Sequence, residues 1–153
     1  MPRVQREANV TWEGNVARGS GAISAATGAF EQLPYSLASR VEKPDGKTSP
    51  EELLAAAHAG CYAMSLAGEL SRYGSVPELV DVRAKVTLDQ VADGSHQIVA
   101  SELLARARVT DVDQATLDRL AQEANDGCTL SKLIAASGTV TVRATLEGDS
   151  NGD

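Results

Sequence analysis

The chain has 153 residues, about the length of one domain, with 14 basic against 21 acidic side chains and a net charge of −7. This balance excludes the basic surface that nucleic-acid-binding proteins need. Hydrophobic residues make up 42% of the chain but aromatic residues only 3%, so a core is possible, although its small side chains bury little area each. We expect a single domain over residues 1–153, with an acidic tail at about 148–153 that is disordered.

The N-terminal segment lacks the apolar stretch of a signal peptide. The most apolar run, residues 53–67, is too short to cross a bilayer. Two cysteines, Cys61 and Cys128, are too few for a disulfide scaffold. These features predict a cytoplasmic protein with reduced thiols and no membrane partner. The two cysteines are then either packing residues or a redox pair.

The first 40 residues predict three extended runs joined by turns. Apolar and polar residues alternate from Val4 to Trp12, and a weaker run covers residues 16–25. A third run follows Pro34 and continues through Leu37 and Ser39. The expected arrangement is an antiparallel meander, with Arg40 directly after the third strand.

A long helix is predicted from its N-cap, Ser49, to about Ser71. Pro50 occupies the first helical position, and Glu52 completes the Ser-x-x-Glu pattern of a capping box. Between residues 53 and 67 the helix is apolar on nearly every face, and such a helix is buried on all sides. Because one sheet covers only one side, we expect a second copy of the chain to cover the other.

The second half of the chain predicts two strands, two helices and a last strand. Residues 80–88 alternate strictly between apolar and polar, and a turn at 93–94 leads into a strand over about 97–109. Helices follow from Asp113 and from Cys128, and residues 140–146 alternate again. The strands group in antiparallel pairs instead of alternating with helices, which indicates an α+β fold.

The residues alone leave the reactive thiol open. Cys61 lies in the middle of the long helix, where burial raises the pKa of a thiol and no helix N-terminus lowers it. It is either a small packing residue or a nucleophile that needs a cation, for which Arg18 and Arg40 are candidates; each could equally be a solvated surface residue. Cys128 opens a short helix as Cys-x-x-Ser, an environment that lowers a thiol pKa, so taken alone Cys128 is the better nucleophile. It is otherwise a resolving thiol, or the Cys-x-x-Ser pattern is a coincidence.

Glu51 and His58 share the long helix with Cys61. Glu51 lies at the second helical position, where the helix dipole favours a carboxylate. It lies about 15 Å before Cys61 along the helix, so the two can share a site only if two antiparallel copies of the helix cross. His58, one turn before Cys61, is either a hydrogen-bonded core residue, an activator of the thiol, or a metal ligand together with the two cysteines.

One segment resembles the central-helix motif of the OsmC/Ohr family, the osmotically inducible and organic hydroperoxide resistance proteins: Thr48 to Cys61, read as TSPEELLAAAHAGC. Further motifs that resemble this family are Trp12-Glu13-Gly14, Arg18-Gly19-Ser20-Gly21, Pro34-Tyr35-Ser36 with Arg40, and Gly127-Cys128-Thr129-Leu130-Ser131. The resemblance covers about residues 6–147 and favours the OsmC branch, chiefly through His58 and Pro34-Tyr35.

The resemblance implies an intertwined homodimer in which antiparallel sheets wrap around a long central helix. It implies a thiol peroxidase that reduces organic hydroperoxides in oxidative and osmotic stress defence. Cys61 is then the peroxidatic cysteine and Cys128 the resolving one, while Glu51 and an arginine, Arg40 in preference to Arg18, activate the thiolate. The implied partner is a dithiol reductant, either a lipoyl protein or a thioredoxin-like protein, and no metal or organic cofactor is needed.

The sequence departs from the family pattern at two positions, Gly60, where alanine is usual, and Thr129, where proline is common. Neither change removes a reacting group. The competing interpretation is a non-enzymatic binding or scaffold dimer of the same fold, in which Cys61 and Cys128 only fill the core.

Overall fold

The computed structural model describes residues 3–148, which divide between Leu53 and Leu54 into two compact units. A disordered tail is expected at about 148–153, and residues 149–153 lie outside the described residues. The single domain over residues 1–153 stays a prediction.

The first unit contains a three-stranded antiparallel sheet of β1 (Ala8–Glu13), β2 (Ser20–Ala25) and β3 (Leu33–Tyr35), which confirms the meander. Trp12 and Tyr35 lie on the outer strands opposite Gly21 of β2. Their ring centroids are 5.4 Å apart. A Cβ atom at Gly21 would overlap both rings, so the aromatic pair requires glycine at this position.

Residues Leu37–Val41 form a short helix, α1, and the expectation that the third strand continues through this segment is wrong. Ser36 is the N-cap of α1. Its hydroxyl accepts a hydrogen bond from the Ser39 N–H at 3.1 Å, and the Ser39 hydroxyl accepts one from the Ser36 N–H at 2.9 Å. This reciprocal cap ends β3 and starts the helix. Arg40 therefore lies in the last turn of a helix and not beside a strand.

The long helix α2 (Pro50–Tyr73) begins where predicted and continues two residues past Ser71. The Ser49 hydroxyl accepts a hydrogen bond from the Glu52 N–H at 3.1 Å, as an N-cap does. The Glu52 carboxylate accepts a hydrogen bond from the Thr48 hydroxyl at 2.8 Å instead of completing the predicted capping box.

The second unit contains the sheet of β4 (Leu79–Gln90), β5 (His96–Arg108) and β6 (Thr139–Leu146), with α3 (Gln114–Gly127) and α4 (Thr129–Ala135) between β5 and β6. Strands β4 and β5 form the expected antiparallel pair. Strand β6 pairs with β5 in parallel, which corrects the expectation of antiparallel pairs alone. The two intervening helices supply the crossover that a parallel pair needs.

The core of the second unit lies between α2, α3 and the sheet. One face of α2 contributes Tyr62, Leu66 and Leu70, which are fully buried against Leu103 of β5 and Leu117 of α3. The opposite face is open, and Met64 is 79% exposed. Within one chain α2 is therefore buried on one face and not on all sides. Among residues 3–148, no helix combines the length and apolar character needed to cross a bilayer.

Candidate active site

The sulfurs of the two cysteines meet in the second unit. Cys61 is in the middle of α2 and Cys128 is the N-cap of α4. Both are free thiols, and the Cys128 thiol donates a hydrogen bond to the Cys61 sulfur over an Sγ–Sγ distance of 3.4 Å. A disulfide bond is about 2.0 Å long, so a small side-chain movement would join them. Cys128 is fully buried and Cys61 half-buried, so Cys61 is the sulfur that a substrate can reach.

The first turn of α4 points its donors at Cys61. The Thr129 hydroxyl lies 3.4 Å from the Cys61 sulfur, and hydrogen bonding from the backbone N–H groups of Thr129 and Leu130 lowers the pKa of this thiol. Burial raises the pKa of the Cys61 thiol, but these hydrogen bonds, together with the one from Cys128, outweigh burial and lower the pKa below its ordinary value. N–H groups in a first helical turn lack partners within the helix, so they favour a negative sulfur.

The start of α4 also serves Cys61, which the sequence does not predict, while the expectation that it favours Cys128 stays a prediction. The Cys128 side chain accepts no capping hydrogen bond, because the free N–H groups of α4 reach Cys61 instead. The expectation that Cys61 has no helix N-terminus beside it is wrong for the same reason. The helix that serves it is a different one, brought from about 70 residues later in the chain to the middle of α2.

His58 is a fully buried, hydrogen-bonded side chain, as one of the three interpretations predicted. Its Nδ1 lies 2.7 Å from the Ser101 hydroxyl on β5, and its Nε2 lies 2.8 Å from the Ser131 hydroxyl on α4. Burial lowers the pKa of His58, which keeps the ring neutral. Within residues 3–148, no cluster of three or more His, Cys, Asp or Glu side chains is arranged to hold a metal ion.

Arg40 and Glu51 form a salt bridge in the first unit. Nε and Nη2 of Arg40 donate to Oε1 of Glu51 at 3.0 and 2.7 Å, and Nε also donates to Oε2 at 3.1 Å. The hydrogen bond from Glu51 raises the pKa of Arg40, so the guanidinium stays charged. The Glu51 side chain is 14% exposed and that of Arg40 is 40% exposed, which leaves part of the guanidinium open to a ligand.

Arg18 lies in the exposed turn between β1 and β2, where its backbone N–H donates to the Asn15 side chain at 2.9 Å. Among the ion pairs formed within residues 3–148, none includes the Arg18 guanidinium. Of the two candidate arginines, Arg40 is therefore the one that pairs with Glu51.

A cleft of about 430 Å³ opens beside Arg40 in the first unit. Its lining is mostly apolar and consists of Trp12, Val16, Tyr35, Ser36, Leu37, Arg40 and Pro50. Arg40 is the one charged residue of this lining. A concave apolar surface with a single charged group suits a largely apolar ligand with one polar end.

The model of the OsmC-like protein family matches residues 43–143, a range that includes Glu51, both cysteines and α4. The chain is also 36% identical over 137 residues to peroxiredoxin OsmC of Escherichia coli (strain K12), an alignment that covers 90% of this chain and 94% of that protein. The chain belongs to the OsmC family.

Solved structures of OsmC-family proteins share the fold. The organic hydroperoxide resistance protein OhrB of Bacillus subtilis superposes with a TM-score of 0.72 at 22% identity, covering 91% of this chain and 98% of that one. An OsmC-like protein of unknown function from Vibrio cholerae superposes with a TM-score of 0.74 at 14% identity, covering 94% and 100%. These likenesses confirm the predicted α+β fold with its long helix.

The contribution of Thr129 was missed from the sequence, where it stands out only as a departure from the OsmC-family pattern. Proline at the first position of a helix has no N–H and no hydroxyl. Threonine at that position of α4 has both, and both reach the Cys61 sulfur. The signal available in the sequence was therefore Thr129 itself, a residue with two hydrogen-bond donors directly after Cys128, where proline would have none.

Proposed function

We propose that this OsmC-family chain is a thiol peroxidase that reduces organic hydroperoxides to alcohols through Cys61 and Cys128. The observation that carries the proposal is the 3.4 Å contact between an accessible thiol of lowered pKa and a buried second thiol. The names of the relatives support the same class, since one is a peroxiredoxin and another an organic hydroperoxide resistance protein.

The reaction proceeds in three steps. The Cys61 thiolate attacks the terminal oxygen of the hydroperoxide, the S–O bond forms as the O–O bond breaks, and the alkoxide leaves and takes up a proton. Cys61 is thereby oxidised to a sulfenic acid. The Cys128 sulfur attacks that of Cys61, the hydroxyl group leaves as water, and a disulfide forms. An external dithiol, from a lipoyl or thioredoxin-like protein, reduces the disulfide by exchange and is itself oxidised. We place this cycle in the cytoplasm, where thiols are kept reduced.

In this proposal the protein is a homodimer, and Arg40 and Glu51 of one chain complete the site around Cys61 of the other. Glu51 precedes Cys61 by ten residues on α2, about 15 Å along the helix, so one copy of α2 does not bring them together. Crossing of two antiparallel α2 helices places Arg40 and Glu51 of one chain at Cys61 of the other. Arg40 then stabilises the charge on the leaving oxygen, and the apolar cleft beside it receives the alkyl group.

The open face of α2 supports the homodimer. Ala56, Ala57, Gly60 and Met64 are exposed on it. Beyond its two neighbours and the adjacent backbone of α2, a Cβ atom at Gly60 would meet no described atom within 4 Å. A contiguous apolar surface made of small side chains permits the close approach of another helix and is costly to leave in water.

Counting free thiols before and after one equivalent of cumene hydroperoxide tests the proposed chemistry. We expect both thiols of each chain to be lost and one equivalent of the alcohol to appear. The Cys61→Ser variant, as the control, keeps its remaining thiol. Retention of both thiols in the unmodified protein would contradict the peroxidase and favour the scaffold dimer. A panel of hydroperoxides with lipoyl and thioredoxin reductants then identifies the partners.

A further inference from the structure

We propose that His58 is a positioning residue that, through Ser131, holds the first turn of α4 against the sulfur of Cys61. His58 and Cys61 are three residues apart on α2, so their side chains lie on the same side of the helix. The same short segment of α4 contacts both of them. This inference assigns a role to one more residue. It rests on the proposed function only in assuming that the Cys61 thiolate attacks a hydroperoxide.

The two contacts with α2 differ in strength. The Ser131 hydroxyl meets His58 Nε2 at 2.8 Å in a fully buried place. The Thr129 hydroxyl meets the Cys61 sulfur at 3.4 Å, a weak hydrogen bond of the kind that sulfur forms. In this proposal the stronger contact sets where the first turn of α4 lies. The weaker contacts to sulfur follow from that placement.

The second nitrogen of the histidine has a hydrogen-bond partner of its own. Nδ1 is 2.7 Å from Ser101, a fully buried residue of β5, so the ring bridges the sheet and α4. A neutral imidazole has one donor and one acceptor nitrogen, and a hydroxyl can serve either, so the two serines satisfy the ring in both tautomers. Because both nitrogens are occupied by serines, neither is free to take the proton of Cys61. His58 acts through α4 and not as the base of the thiol.

Two serine variants provide the test. Ser131→Ala and Ser101→Ala each leave one buried nitrogen of His58 without its partner, but only the first releases α4. The readout is the pH dependence of the alkylation of Cys61 by iodoacetamide, followed by mass spectrometry of the peptide and without peroxide. We expect Ser131→Ala to slow alkylation at neutral pH about tenfold and to leave the rate at high pH unchanged. Ser101→Ala keeps the neutral-pH rate within about twofold.

Two histidine variants provide a second test that does not depend on the serines. The amide nitrogen of glutamine falls near the position of Nε2 and can still meet Ser131, whereas asparagine reaches only Ser101. We expect His58→Asn to slow the alkylation of Cys61 as Ser131→Ala does, and His58→Gln to keep it near the unmodified rate.

Equal slowing by Ser131→Ala and Ser101→Ala, or by His58→Asn and His58→Gln, would show only a general loss of packing and would overturn the proposal. No slowing by Ser131→Ala would overturn it as well. A chain that shows the expected alkylation pattern but consumes no hydroperoxide would refute the proposed function and leave this inference in place.

Discussion

The salt bridge of the first unit and the thiol pair of the second unit are stabilised by different means. Arg40 and Glu51 of the first unit hold each other by full charges, with the guanidinium partly in solvent. Cys61 of the second unit has a lowered pKa because neutral groups donate to it: a helix start, a hydroxyl and a thiol. The comparison teaches that, within the described residues, the groups that lower the pKa of Cys61 are neutral donors and include no arginine. In the proposed reaction, the charge of Arg40 would therefore be available for the leaving oxygen.

The largest expected effect comes from the cysteines themselves. Cys61→Ser should remove hydroperoxide consumption, with a loss of at least about a thousandfold, because the remaining thiol, Cys128, is buried and the peroxide cannot reach it. Cys128→Ser should leave one turnover and then allow Cys61 to oxidise further to the sulfinic acid. Stopped-flow consumption of cumene hydroperoxide and intact-protein mass spectrometry measure these outcomes.

Dimedone labelling is the control for that experiment. In Cys128→Ser it should mark Cys61 as the sulfenic acid after one equivalent of peroxide. If Cys61→Ser keeps activity and Cys128→Ser loses it, the two thiols have the opposite roles, and the sequence argument for Cys128 was the better guide.

Mixed dimers should restore activity from two inactive variants. Glu51→Gln and Cys61→Ser disable different chains of each shared site, so in a mixed dimer one site collects both changes and the other collects neither. About 15 Å of helix separates the two residues in one chain, so each site takes them from different chains. Because one of the two sites is then intact, we expect about half of the unmodified rate for each mixed dimer. The measurement is peroxidase activity after purification with two affinity tags.

Mixed dimers that stay inactive would mean that Glu51 and Cys61 act in the same chain, or that Glu51 serves only the start of α2. Light scattering of the unmodified protein is the control. A folded monomer of 16.0 kDa at micromolar concentration would remove the shared site altogether.

Arg40→Lys should lower kcat/KM for an organic hydroperoxide about a hundredfold, because lysine cannot make the forked contact with Glu51 and still face the oxygen. The matched variant is Arg18→Lys, for which we expect a change of no more than about threefold, since Arg18 lies in an exposed turn. Steady-state kinetics measure both.

The same pair of variants sharpens the comparison between the two units. The alkylation rate of Cys61 by iodoacetamide should stay within about threefold in Arg40→Lys, because lysine keeps the positive charge that the proposed dimer places at Cys61, and the donors within the chain are unchanged. A large fall in that rate would show that Arg40 also stabilises the thiolate.

Thr129→Val should have the smallest effect. The Thr129 hydroxyl favours the thiolate, so its removal raises the pKa of Cys61 and moves the alkylation profile to higher pH. We expect a rate a few-fold lower at neutral pH and an unchanged rate at high pH, where the thiol is ionised in any case. The measurement is the pH profile of alkylation between pH 5 and about 10.

Thr129→Ser keeps the hydroxyl and should keep the profile, whereas Thr129→Pro removes both the hydroxyl and the N–H and should shift it further than valine does. A profile that is the same in all three variants would contradict a role for Thr129 at the sulfur.

The elements that the sequence predicts well are those whose signals are local. Ser49 and Pro50 mark the start of α2, and the strict alternation over residues 80–88 marks β4. Helix α1 was missed because the alternation of Leu37 and Ser39 is typical of a strand. Its cap depends on two hydrogen bonds, in which the hydroxyl of each serine, Ser36 and Ser39, accepts from the backbone N–H of the other. The parallel pairing of β5 and β6 depends on where two helices return the chain, which no local pattern records.

The site divides in the same way. The roles of Cys61, Cys128 and Glu51 came from the resemblance of the motifs to the OsmC/Ohr family. The sequence could not show that the start of α4 serves Cys61, because this contact joins two helices and neither helix records it alone. A sulfur in the middle of one helix gains the N–H groups of another only through the packing of α2 against α4, and His58 with its two serines shows that packing.

The pH profile of alkylation of both cysteines in the reduced, unmodified protein tests the central claim most directly. Iodoacetamide is added at a series of pH values, and the peptides that contain Cys61 and Cys128 are quantified from the same sample. The account predicts that Cys61 reacts first, with its inflection below the ordinary pKa of a cysteine, while the buried Cys128 reacts far more slowly. Modification of Cys128 before Cys61, or an inflection for Cys61 above the ordinary value, would contradict it.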